Sequence, residues 1–413
     1  MVYRHSRMLR KGDTMKHNTL FSMTLLVVVF MLVFGSSSWI MGCTGIFFAN
    51  SKTALAGNNE DWMSPFSRIW FIPAQGKKFG RVCFGFQEGG TQGAMNDQGL
   101  FFDGFALNPL EVKPVAGKEI YPGDLAQKAL EECRTVDEVI ALFERYDRRG
   151  LVASQFFVAD KEGNSAIIEA EAIIRKQGDH QIVTNFRQSC VTPEAITDSR
   201  YLIVRKMMEA KDKVDVDLFR RVLAAAHQEG KYPTQYTNIC NLKTGIIYLY
   251  RFHNYEQVVR IDLRRELSKG RRVIELQSLF PESHAADFYK KEIEKTMAER
   301  LSKHQIVPLK PELAYRLIGE YGFGSGMLAG YTITISMQEN MLFAEVSSLL
   351  EKSQLHPLSD TEYVINGLEE IYSLKFVSAA AAGKMKLKIS MMGMEAEASK
   401  EPQGSSLQIP ETN

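Results

Sequence analysis

Cys43 stands at the foot of an apolar leader, in Met41-Gly42-Cys43-Thr44-Gly45, and Gly57-Asn58-Asn59-Glu60-Asp61-Trp62 follows closely. A chain cut just before Cys43 would carry a thiol and a free α-amine on one residue. That is a nucleophile and its base together. An unperturbed α-amine titrates near ~8 and a free thiol near ~8.5, so the first can activate the second close to neutral pH. Asp61, eighteen residues on, supplies a carboxylate that could orient and tune such an amine. Read without that chemistry, Asn58, Asn59 and Asp61 are simply turn formers between strands.

The segment before Cys43 decides whether the amine is ever exposed. Arg4, Arg7, Arg10, Lys11 and Lys16 precede an apolar run from Leu20 to Phe34, and Gly35-Ser36-Ser37-Ser38 follows it. Basic, apolar, then small is the order of a secretory signal, and the run is short for a spanning helix. Cleavage after Gly42, or after Ser38 with self-removal of Trp39–Gly42, would free Cys43. Ile40-Met41-Gly42-Cys43 also resembles a lipoprotein signal, in which the sulfur is lipidated and the amine acylated. The expectation is export to the periplasm or the extracellular space, with a lipid anchor at the membrane surface as the alternative.

The 413 residues are 45% hydrophobic and 24% charged, enough for a large core in one or two domains. The net charge is +1, but residues 1–42 hold +4 of it, which leaves −3 on the rest. No basic field remains to suggest nucleic acid. Cysteine is present at 43, 83, 133, 190 and 240, an odd count that leaves at least one thiol unpaired in an exported protein. Cys43 is the natural one; the other four make two disulfides or stay as thiols. No C-x-x-C occurs, and no zinc site or other metal or cofactor is expected.

The elements that must position these residues alternate in type. Cys43–Ala49, Arg68–Ile72, Arg81–Phe86 and Gly99–Leu107 read as strands. Helices follow at Leu125–Cys133, capped by Asp124, and from Thr135 to Tyr146, opened by a Thr-x-x-Glu capping box with Glu138. Ser154–Asp160 with Asn164–Glu169 is a hairpin, and Gln181–Asn185 a strand. Helices at Ser199–Ala210 and Val216–His227 precede a second hairpin, Tyr236–Leu242 with Gly245–Phe252, and a strand at Glu256–Leu263. This order argues for layered α+β. The division expected is a signal or pro segment at 1–42, a catalytic domain at 43–283 and a connecting helix at 284–306. A small β-barrel or sandwich at 307–400 and a disordered tail at 401–413 complete it.

With these motifs in order along one chain, residues 43–262 resemble the cysteine branch of the N-terminal-nucleophile hydrolases. That branch includes choloylglycine hydrolases, penicillin V acylases and isopenicillin N acyltransferases. Cys43-Thr44 matches its Cys-Thr start, and Gly57–Trp62 its Gly-x-Asn-x-Asp-aromatic segment. Gly93–Leu100 matches its Gly-Met-Asn-x-x-Gly-Leu turn, Val183-Thr184-Asn185 its Leu-Thr-Asn segment, and Ser199-Arg200-Tyr201 its Ser-Arg-Phe helix start. The resemblance implies a four-layer αββα sandwich. It implies Cys43 as nucleophile, Asp61 holding its amine, Asn185 as an oxyanion donor and Arg200 supporting the nucleophile. Asn58, Asn59 and Trp62 are the substrate-binding candidates. Asn58 stands where bile-salt and penicillin V enzymes carry Arg, as in the acyltransferase-like branch. The second oxyanion donor is unassigned, with Ala106 at the aligned position and Asn108 two residues on.

The activity implied is cleavage of a linear, non-peptide amide of an N-acyl small molecule through a Cys43 thioester. Acyl transfer shares its first half, and a lipid-anchored binding protein is the non-catalytic alternative. No nucleic-acid partner is expected, membrane contact is limited to the leader or an anchor, and homo-oligomer formation is open. His180, His227 and His253 lack metal-ligand spacing and read as structural, as do Glu169 and Met391-Met392-Gly393-Met394. Asp103, in an otherwise apolar strand, either lines a pocket or is a satisfied buried carboxylate.

Overall fold

The computed structural model describes residues 42–401, apart from 88–89, 122, 325–327, 329–330, 347–349, 379–384 and 392–393. The leader, Pro122 of the first helix's turn, Met392-Gly393 and nearly all of the tail therefore lie outside the described residues. In chain order the first fourteen strands are β1 (Thr44–Ala49), β2 (Ala54–Asp61), β3 (Ser67–Ile72), β4 (Arg81–Phe86), β5 (Gly90–Asn96), β6 (Leu100–Ala106), β7 (Ser154–Asp160), β8 (Ser165–Ile168), β9 (Ile173–Arg175), β10 (His180–Val183), β11 (Thr234–Asn241), β12 (Ile246–Arg251), β13 (Asn254–Asp262) and β14 (Arg272–Glu275). Helices α1 (Leu125–Glu132) and α2 (Val136–Glu144) follow β6, and α3 (Ser199–Glu209) and α4 (Val216–Ala225) precede β11.

Two antiparallel sheets result, one in the order β10-β1-β2-β11-β12-β13 and one in the order β14-β3-β4-β5-β6-β7-β8-β9. Strand alternation sorts their side chains into three apolar layers. Phe47 of β1, Ala54 and Ala56 of β2, Phe101 and Phe105 of β6, and Tyr236 and Cys240 of β11 share one cluster that joins both sheets. Leu100 and Phe102 of β6 point the other way, into a cluster with Ala129 and Leu130 of α1 and Val139 and Phe143 of α2. Ile46 and Phe48 of β1 and Leu55 of β2 meet Val204 of α3 and Phe219 and Leu223 of α4.

The helix starts follow their caps. Asp124 accepts from Gln127 N, Thr135 from Glu138 N, Asp198 from Tyr201 N and Asp215 from Leu218 N. The reciprocal half of the capping box is displaced by one residue, because the Glu138 carboxylate accepts from Arg134 N. The Asn96-Asp97-Gln98-Gly99 turn joins β5 to β6, with Gly99 in the left-handed region at φ +83°. Buried Asn96 accepts from Gln98 N and Leu100 N and donates to Leu130 O and Cys133 O. This motif Asn therefore ties the turn to the end of α1.

Helix α5 (Leu263–Leu267) lies between β13 and β14, and α6 (His284–Leu301) and α7 (Pro311–Leu317) follow β14. Eight strands, from β15 (Gly319–Phe323) to β22 (Met394–Lys400), then close into a barrel. Tyr321, Tyr363 and Phe376 pack edge to face inside it. Among the described residues no cysteine is bonded to another; Cys190 is exposed and the other four are buried.

The largest departure from the sequence reading is β2. Gly57–Asp61 is not a turn but the end of a fully buried central strand between β1 and β11. Two adjacent asparagines and two carboxylates disguise it, since each is normally rare in strands.

Candidate active site

Register brings the motif residues together. β1 pairs Gly45 with Asn58, and β11 pairs Asn238 with Asn58 and Tyr236 with Glu60. Alternation then assigns the faces. Cys43 follows the parity of Phe47 and lies in the layer between the sheets, 6% exposed. Asn58 and Glu60 follow Ala54 and Ala56 to the same side, and Asp103 follows Phe101 and Phe105 toward them from the second sheet. Cys43 Sγ donates to Glu60 Oε1 at 3.4 Å, and Asn58 Nδ2 donates to Glu60 Oε2 at 3.3 Å.

A second group closes on Cys43 from the end of the sheet. Cys43 N donates to Asn185 Oδ1 at 2.6 Å. Arg200 Nη1 donates to Cys43 O at 3.0 Å and to Asn185 Oδ1 at 3.3 Å, and lies 3.6 Å from Asp61 Oδ2. Its Nη2 pairs with Asp198 at 2.9 Å. Thr234 Oγ1 donates to Asp61 Oδ1 where a bulge shifts the β2–β11 register. Gln228, just after α4, donates from Nε2 to Gly42 O at 3.2 Å. A Cβ on Gly42 would fall 2.2 Å from Arg200 Nη1 and 2.6 Å from Gln228 Nε2, so only glycine fits without displacing both.

Two expectations need correction. Asp61 makes no hydrogen bond to Cys43 N among the described residues; its carboxylate is held by Thr234 and Arg200, and Asn185 takes the Cys43 N–H instead. Asn185 presents its oxygen to Cys43 because both neighbours there, Cys43 N–H and Arg200, are donors. Its Nδ2 donates one N–H to Ala106 O at 2.9 Å. Asn59 faces away from Cys43. It donates to Leu223 O of α4 and accepts from Thr237 Oγ1, as strand parity demands of a neighbour of Asn58. Trp62 packs against Phe86 and Tyr232 at the edge of the inter-sheet cluster, and Asn108 is exposed outside the site.

The electrostatics follow from burial. Desolvation first, and then the nearby carboxyls of Glu60, Asp61 and Asp103, push the Cys43 thiol well up. Burial raises Glu60 to about 8. Burial also raises Asp61, against the opposing pull of Thr234 and Arg200, and raises Asp103, where Glu60 adds to the effect. A carboxyl whose pKa is raised in the folded chain keeps its proton while the unfolded chain loses it. Stability should therefore fall as pH rises from about 4.5 to 8. The groups facing Glu60 are Cys43, Asp61, Asp103 and Tyr236, and Asp61 and Asp103 act in the same direction. In Glu60→Gln, urea midpoints measured across that window should show a shallower decline than in the parent chain.

Glu60, Thr234, Tyr236 and Gln228 escaped the sequence reading. Glu60 could have been found by reading the hexapeptide as a strand, which puts it two residues from Asn58 on one face; Gln228 leaves no sequence signal. The structure also gathers His227, Glu229 and His253, with one ligand atom from each lying within 4.8 Å of the others. Their rings are fixed by the carbonyls of Ala224 and Gln228.

Residues 48–209 match the sequence profile of the acyl-coenzyme A:6-aminopenicillanic acid acyl-transferase family. No curated protein matches the chain in sequence. Among solved structures, a mutant conjugated bile acid hydrolase from Clostridium perfringens is similar at 17% identity and a TM-score of 0.46, over 59% of this chain and 99% of that one. Penicillin V acylase from Agrobacterium tumefaciens is similar at 14% identity and a TM-score of 0.43, over 57% and 91%. The profile match spans Gly57–Trp62, Gly93–Leu100, Val183-Thr184-Asn185 and Ser199-Arg200-Tyr201, and begins after Cys43.

Proposed function

We propose that this protein is an exported amidohydrolase that cleaves a linear, non-peptide amide of an N-acyl small molecule, with Cys43 as nucleophile once residues 1–42 are removed. The observation that carries the reading is the convergence of Asn185, Arg200 and Glu60 on Cys43, and of Gln228 on Gly42 just before it, from four separate parts of the chain. The four-layer αββα arrangement belongs to the same proposal. Its support is the apolar layer joining the two sheets, with helices packed on the far face of each.

In the mature enzyme the α-amine of Cys43 takes the place of the amide nitrogen that now donates to Asn185 Oδ1. Asn185 and Arg200 hold that residue's backbone, and Asp61 holds Arg200. The amine accepts the thiol proton, and the thiolate attacks the substrate carbonyl. The protonated amine passes its proton to the leaving nitrogen, and water cleaves the thioester. An amine in place of that water would give acyl transfer.

Lipid anchoring fits the geometry less well. The Cys43 thiol is buried between two sheets, and a diacylglyceryl group would have to draw it out past Glu60. The test is the intact mass and N-terminal sequence of the exported protein, followed by hydrolysis of a panel of acyl amides. An unmodified Cys43 start with turnover supports the reading, and a diacylglyceryl mass overturns it. Maturation carries its own check. Gly42→Ala forces Arg200 and Gln228 apart, so the fraction cut before Cys43, read by mass, should fall at least tenfold.

A further inference from the structure

The layer between the sheets contains more acid than thioester chemistry uses. Asp103 is wholly buried, and neither of its carboxyl oxygens has a hydrogen-bond partner. Asn58 Oδ1, in the same layer, is also buried without a partner, and the Tyr236 hydroxyl faces Glu60. Gly93 sits opposite Asp103 on β5, and a Cβ there would lie 2.7 Å from Asp103 Oδ1. Glycine thus clears the space the carboxyl occupies. Among the described residues no Lys or Arg pairs with Glu60 or Asp103, while Arg200 is committed to Asp61 and Asp198. Burial without a counter-charge disfavours the ionised form, which is why both the Glu60 and Asp103 carboxyls have raised pKa values and hold their protons. A cation arriving from outside would satisfy both.

The species that reaches this layer in the working enzyme is the substrate. Resting on Cys43 as the reacting thiol, we propose that Asp103 and Glu60, with Asn58 Oδ1 and the Tyr236 hydroxyl, form a subsite for a primary ammonium group carried by the acyl part of the substrate. The substrate class is then a short amino-acyl amide. An ammonium is a compact point charge with three donors, which suits acceptors converging from both sheets better than a planar guanidinium does. The acyl part is chosen because the subsite lies in the interior. The leaving amine must depart first, while the acyl group stays on sulfur. The chain is short because Glu60 Oε1 is only 3.4 Å from Cys43 Sγ.

Two readouts on the purified mature protein test this. By calorimetry, 4-aminobutanamide should bind at least tenfold more tightly than pentanamide, its uncharged counterpart of nearly equal length. Asp103→Asn should remove that preference and leave pentanamide binding within about threefold. The preference should grow as pH rises toward 8, since Glu60 then gives up its proton more readily to an incoming cation. In turnover, the 4-aminobutanoyl p-nitroanilide should exceed the pentanoyl p-nitroanilide in kcat/KM at least tenfold, and Asp103→Asn should lower only the first. Equal binding of the two amides, or an equal loss of both in Asp103→Asn, overturns the subsite. Preferential binding of the ammonium compound with no turnover of either anilide upholds the subsite and overturns Cys43 as the nucleophile.

Discussion

Cys43→Ala should lose amide turnover by about 10⁴-fold or more, the loss found when a covalent nucleophile is removed from a site whose other groups act through it. The substitution deletes one sulfur from the inter-sheet layer and should cost stability only about 1 kcal/mol. A folded, exported and inactive protein is therefore the expected result, measured as kcat/KM on whichever acyl amide the parent chain turns over. Two further consequences separate this from a general defect. The thiol of the mature parent should be alkylated by iodoacetamide in step with loss of activity. In Cys43→Ala, the intact mass should retain the residues before position 43 if their removal needs that thiol. Turnover in Cys43→Ala at the level of the parent chain would end the nucleophile assignment.

Arg200→Met should be the most destabilising single change near the site. Arg200 serves four acceptors at once: Cys43 O, Asn185 Oδ1, Asp61 and Asp198. Asp61 is wholly buried with its pKa raised, and removing Arg200 takes away the cation that opposes that rise. Breaking a buried pair by deleting one partner typically costs about 3–5 kcal/mol. The urea midpoint should drop accordingly at constant m-value. Asp61→Asn on top of Arg200→Met should recover part of that loss, because a buried amide needs no counter-charge. Arg200→Lys should restore the ion pair with Asp61 but not the fork that also holds Cys43 O and Asp198, so stability should recover more than activity. If Arg200→Met unfolds at the parent's urea midpoint, Asp61 has another source of compensation.

The sequence alone determined a good deal here. Apolar periodicity located α1 to α4 to within a few residues, and Asp124 and Thr135, which cap locally and need no distant partner, marked the starts of α1 and α2. Motif order along the chain singled out Cys43, Asp61, Asn185 and Arg200, and the fold does bring those four to one place. What it could not determine was which face of a strand each residue occupies. That depends on β2 being a central strand rather than a turn. Asn59 and Asp61 are held there by partners from β11, α3 and α4. Parity then moved Asn59 off the site and brought Glu60 beside the thiol. It also aimed Asp103 from a second sheet toward groups more than forty residues earlier in the chain. The orientation of the Asn185 amide was likewise a tertiary matter, decided by two donors that approach its oxygen from β1 and α3. Hydrogen-bond polarity and strand register are properties of neighbours in space. The motif could name the residues, but only the packed sheets could assign what each one touches.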